Sequence, residues 1–139
     1  MDNVGCMTTT QTYRDATFIS TDAHVTEPVD LYVDRVDAEF KHRAPHIVDS
    51  DGWRTLYVEG LGPRKLMTSS ELEVATVGGY EASERIADQE RDGVTAEVIF
   101  PTFALQACFA AEDAKLQLQL CQAYNSWATD TFAGQHRLL

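Results

Sequence analysis

The chain has 139 residues, enough for one modest domain, and its 22 Asp and Glu against 11 Lys and Arg give a formal charge of −11. An acid excess of that size excludes phosphate-led binding of nucleic acid and attraction to an anionic membrane surface, because both rest on Lys and Arg. No run approaches the roughly 18 apolar residues of a membrane-spanning helix, and three widely spaced cysteines, Cys6, Cys108 and Cys121, form neither a disulfide framework nor a CxxC pair, so a cytoplasmic protein with reduced thiols is expected.

Residues 1–15 read as a flexible polar leader, with Asp2 where a signal peptide is basic and no apolar core behind it. Ala16 to Thr21 is a β-type run that ends in Asp22-Ala23-His24-Val25-Thr26-Glu27-Pro28. Side chains two apart on a strand share a face, so Asp22 and His24 project together while Ala23 turns away. A carboxylate oxygen beside a neutral imidazole nitrogen suits zinc or manganese, which makes Asp22 and His24 the candidate metal ligands. Glu27, just past the strand, is a candidate further ligand or proton-transfer group. The same three side chains also read as a turn carboxylate, a packed imidazole and a solvated loop residue.

Beyond Pro28, apolar Leu31, Tyr32, Val36 and Phe40 predict a short amphipathic helix over Val29 to Lys41, broken near Asp37 and closed before Pro45. His42 and His46 read as surface residues at this exit. Asp51-Gly52 between two β-rich arms, from His46 to Gly60, predicts a hairpin. Arg64 and Lys65 then read as a solvated turn or an anion contact, and Thr68 to Gly79 as a flexible crossing segment. A helical pattern resumes at Tyr80, with Glu81 and Arg85 at i,i+4, and Gly93 stands where a helix-terminating glycine belongs. Val94 to Phe100 is a second buried-type strand, and Glu112 to Ala133 a long helix striped by Leu116, Leu120, Tyr124 and Trp127. Cys108 and Cys121 are weak candidates for a nucleophile. Arg137-Leu138-Leu139 looks like the approach to a third strand. Strands alternating with helices imply α/β architecture with parallel pairing, and two and a bit strands leave sheet edges without partners.

Several of these stretches together resemble the amidohydrolase-related (amidohydrolase-2) family, which includes aminocarboxymuconate-semialdehyde decarboxylase-like enzymes. They are Thr21 to Tyr32, Arg43-Ala44-Pro45, Arg85 to Pro101 and Ala123 to Trp127, in the family's order. The resemblance implies that residues 16–139 are the N-terminal part of a (β/α)8 TIM barrel, truncated near strand 3, with a helix and β-hairpin insertion after strand 1. It also implies one divalent metal, zinc or manganese, at the C-terminal mouth of the barrel. Many members carry His-x-His where this chain has Asp22 and His24, so whether Asp22 ligates directly stays open, with Glu27 a further candidate. The family's later ligands match no residue here, and His136, before the third strand, reads as a surface residue. By resemblance the function is that of a metal-dependent hydrolase or a decarboxylase, a carbon–carbon lyase. It would act on a small aromatic or carboxylate substrate through a metal-bound water or a metal-held substrate, and the 139-residue chain alone is expected to be inactive. Phe100, Pro101 and Phe103 would wall the mouth or pack the loop. The competing expectation is a non-catalytic half-barrel that forms a homo-oligomer through its exposed strand edges.

Overall fold

A computed structural model describes residues 17–28, 30–50, 52–66 and 77–139. The expected leader, Cys6, Asp51 of the hairpin turn and most of the crossing segment lie outside these residues. Strand β1 (Phe18–His24) runs parallel to β5 (Val94–Phe100), and a three-stranded antiparallel sheet, β2 (His46–Ser50), β3 (Trp53–Tyr57) and β4 (Arg64–Leu66), is inserted between them. Strand β1 extends three residues past the expected β-type run, so Asp22 and His24 lie within it. On the far side of β5, Glu97 N–H donates to the Arg137 carbonyl and Leu139 N–H to the Glu97 carbonyl, each at 2.9 Å. The expected approach to a third strand is thus seen as an isolated parallel bridge between Glu97 and Leu138.

Among the described residues four α-helices accompany the strands: α1 (Leu31–Arg35), α2 (Ala82–Asp92), α3 (Phe103–Ala110) and α4 (Ala114–Phe132). The helix expected up to Lys41 stops early, because Val36 is extended at ψ 155°. Gln119 of α4 takes over there, accepting from the Asp37 amide at 3.0 Å and donating to the Asp37 carboxylate at 2.9 Å, so a tertiary contact replaces the next helical turn. Gly93 ends α2 at φ 73°, a left-handed conformation that glycine adopts without a Cβ penalty. Asp113 caps α4 by accepting from the Lys115 amide at 2.9 Å. Arg64 and Lys65, expected in a turn, form β4 instead and pair with Leu56 and Thr55.

The core lies between the helices and the inserted sheet. Leu116, Leu120, Ala123 and Trp127 form one buried stripe of α4 and meet Leu31, Tyr32, Val36 and Phe40, with Ala104 and Ala107 of α3 and Leu56 and Val58 of the insertion. Each large apolar side chain buried this way contributes about 1.5–3 kcal/mol. Arg43 holds the periphery, forking onto Glu59 and reaching the Asp113 carboxylate at 2.7 Å. By contrast no residue of β1 or β5 is fully buried, although parallel sheets are ordinarily covered on both faces. Among the described residues no helix is long and apolar enough to cross a membrane.

Candidate metal centre

Strand register places the site. His24 pairs with Phe100 and Ala23 with Ile99, so His24 shares its face with Phe100 while Ala23 lies on the Ile99 side, where the helices pack. The His24 and Phe100 rings stand 6.1 Å apart on the open side. On that side the structure brings Asp22 and His24 together, with Asp22 Oδ1 3.4 Å from His24 Nε2. The other ring nitrogen, Nδ1, lies 3.0 Å from the Pro101 carbonyl oxygen. A carbonyl only accepts, so in a neutral ring the contact with Pro101 assigns the proton to Nδ1, with the Thr102 hydroxyl also 3.5 Å from that nitrogen, and turns Nε2 toward the carboxylate. In the neutral ring two acceptors then face each other, an arrangement that a shared cation relieves, whereas a doubly protonated ring makes the same contact an ion pair. Ligands about 2.0–2.2 Å from a tetrahedral zinc stand roughly 3.3–3.5 Å apart, and the observed separation fits one such edge. Among the described residues no third His, Cys, Asp or Glu completes a cluster there, so the donor set fits two corners of a divalent site.

Glu27 is engaged by the backbone at the start of α3. Its residue is 3% exposed, and its carboxylate accepts from the amides of Thr102 and Ala104 through Oε1 and from Phe103 through Oε2, each at 3.0 Å. It caps the start of α3 from 75 residues away. Thr102 itself makes no side-chain cap. Phe103 packs against the core and lines a cavity of about 20 Å³ beside Glu27 and Tyr32, while Phe100 stays 42% exposed next to His24. Burial, reinforced by the Glu27 charge, pushes the Tyr32 phenol far above its ordinary range and keeps it protonated.

The backbone beneath the pair is pinned from three sides. Val25 N–H donates to the Phe100 carbonyl at 3.1 Å and Thr26 N–H to the Gly79 carbonyl at 2.7 Å. Arg85, buried on α2, donates from Nη1 to the His24 carbonyl at 3.0 Å and from Nε to Glu97 at 2.6 Å. Gly78, whose carbonyl also accepts from Arg85, admits this approach: a Cβ there would collide with the Asp88 carboxylate. The sequence spacing pairs Arg85 with Glu81, whereas the structure pairs it with Glu97 and the site. Its one sequence signal is its place in the Arg85 to Pro101 stretch.

The remaining candidates lie elsewhere. His42, His46 and His136 are exposed, as expected for surface residues, and His46 stacks on Tyr57 at 5.5 Å. Burial and a hydrogen bond to Cys121 push the Cys108 thiol up to about 12, which removes the thiolate a nucleophile needs.

Neither a protein-family model nor any curated protein matches the chain. A solved structure does: an amidohydrolase from Mycobacterium avium subsp. paratuberculosis superposes with a TM-score of 0.70 over 90% of this chain at 16% identity. The chain spans 41% of that protein's length. At this identity the likeness establishes a shared α/β fold with parallel strands and helices.

Proposed function

We propose that this chain is the N-terminal, metal-holding portion of an amidohydrolase-like (β/α)8 barrel enzyme, a metal-dependent hydrolase or decarboxylase for a small aromatic or carboxylate substrate. The observation that carries the reading is the 3.4 Å pair of Asp22 Oδ1 and His24 Nε2, with the opposite ring nitrogen engaged by Pro101. Its position at the C-terminal end of a parallel strand, where barrel enzymes build their sites, supports it, as does the shared fold with an amidohydrolase. Asp22 and His24 would hold the cation. Zinc or manganese would supply Lewis acidity toward a carbonyl or carboxylate. Pro101 keeps the proton on Nδ1, which leaves Nε2 free to donate its pair, and the Phe100 ring offers an apolar wall beside it. With two protein ligands the chain alone binds weakly and turns nothing over.

The test is metal content and affinity of the purified chain with zinc and manganese, compared with an Asp22→Ala, His24→Ala double variant. Binding near one ion per chain that the double variant loses is expected. Equal binding by both proteins, or none by the parent, overturns the reading. Turnover of an aromatic carboxylate or lactone above a metal-only blank would overturn the expected inactivity.

A second reading, a half-barrel that associates through strand edges, is favoured by one observation. The outer edge of β1 is unpaired among the described residues, and Phe18 and Ile19 on that strand are 49% and 55% exposed.

A further inference from the structure

We propose that Glu27 is a positioning residue that selects the tautomer of His24. The inference rests on the metal-holding reading of Asp22 and His24 and adds a role for the glutamate that neither ligates nor shuttles protons. The chain of contacts is short. Glu27 accepts the amides of Thr102, Phe103 and Ala104, three consecutive residues, each at 3.0 Å. The residue immediately before them is Pro101, whose carbonyl holds His24 Nδ1 at 3.0 Å. Fixing three successive peptide planes fixes the orientation of the carbonyl that leads into them. That carbonyl in turn decides which ring nitrogen carries the proton.

The chemistry of the cap is specific to a carboxylate. Three N–H donors converge on two oxygens, a task an anion at a helix N-terminus performs well. Glutamine offers one acceptor oxygen, and its NH2 would face amide donors, so at least one bond becomes a repulsion. A glutamine oxygen in the place of Oε1 keeps the Thr102 and Ala104 bonds, so the bond to Phe103 is lost and the grip on the segment that starts at Pro101 loosens. Nδ1 then holds its acceptor less firmly, and protonation at Nε2 becomes competitive, which removes the lone pair from the Asp22 side. Groups that orient a metal-binding histidine in this way typically change metal affinity by about 10- to 100-fold.

The experiment records the nitrogen shifts of the His24 ring by two-dimensional NMR, in the full chain without metal, alongside zinc titrations. In the parent the neutral ring is expected as the Nδ1–H tautomer. Glu27→Gln is expected to mix or reverse the tautomers and to weaken zinc binding by about 10- to 100-fold while far-ultraviolet circular dichroism stays that of the parent. If Glu27→Gln does not fold, Glu27→Asp, which keeps the charge but retracts it by one methylene, is expected to move the tautomer in the same direction. An Nε2–H ring in the parent, or an unchanged tautomer in a folded Glu27→Gln chain, overturns the proposal. A tautomer that responds in a chain that binds no zinc supports the positioning role and overturns the metal reading instead. Zinc bound near one ion per chain and with equal affinity by the parent and Glu27→Gln overturns the positioning role and leaves the metal reading standing.

Discussion

Gln89 is 2% exposed on α2, and neither its amide oxygen nor its nitrogen finds a partner among the described residues. An orphaned buried polar group costs about 1–3 kcal/mol, and Met has similar length without the polar atoms. Gln89→Met is therefore expected to stabilise the chain by about 1 kcal/mol, read as a higher urea midpoint at unchanged slope. A lower midpoint would show that the amide is satisfied in solution. The same reasoning about partners separates what was legible at this scale from what was not. Asp22 and His24 were readable as neighbours because the two-residue strand period puts them on one face with no help from the rest of the chain. Glu27 was readable as important but not in its role, because its partners are amides 75 to 77 residues away and a backbone N–H leaves no mark in the sequence.

Helix α3 shows the limit at the scale of elements. Phe103-Ala104-Leu105-Gln106-Ala107-Cys108-Phe109-Ala110 is apolar on nearly every side, so it has no stripe to recognise, and its cap comes from Glu27 and not from its own Thr102. Helix α4, with a buried stripe and the local Asp113 cap, was legible to within two residues at each end. Strand β4 was missed because Arg64 and Lys65 carry no strand pattern and pair through backbone with β3. The joint between these elements has a predictable pH response. Arg43 holds the carboxyls of Glu59 and Asp113 below their ordinary 4.5 and 3.8 by hydrogen bonding. Carboxylates lowered in the folded state favour folding above those ordinary values, and the contribution disappears as pH falls through the lowered ones. Thermal unfolding of the parent from about pH 6 to pH 2 should therefore fall more steeply than that of Arg43→Met, the two curves converging in acid. Parallel curves would remove the clamp from the account, and because the Arg43 side chain is 26% exposed and its two partners 40% and 38%, solvent screening should keep the separation modest and make it shrink with salt.

At the scale of the molecule two forces oppose each other. The three parallel strand positions, β1, β5 and the Leu138 bridge, form a sheet with no fully buried residue in its two strands, and Phe18, Ile19, Phe100 and Leu139 lie exposed along it. Alternation of strand and helix in the sequence made the parallel sheet legible. It could not say what covers the open face, because covering is a property of contacts between distant segments. Apolar area and an unpaired edge favour association, while a formal charge of −11 on every chain opposes it. Charge repulsion is screened over about 10 Å at 0.1 M salt, whereas burial of apolar side chains and edge pairing are not weakened by salt in that range. If the edge is what associates, sedimentation velocity should show a species heavier than the monomer that grows with protein concentration and with added salt. Ile19→Lys, which sets a charge on the edge strand at a position 55% exposed, should return the chain to monomer at the same salt. A monomer at every concentration and ionic strength would eliminate the edge-association reading and leave the metal pair as the function-bearing feature of the open face. Association that ignores Ile19→Lys would place the contact elsewhere, with Phe109, 77% exposed on α3, the next position to charge.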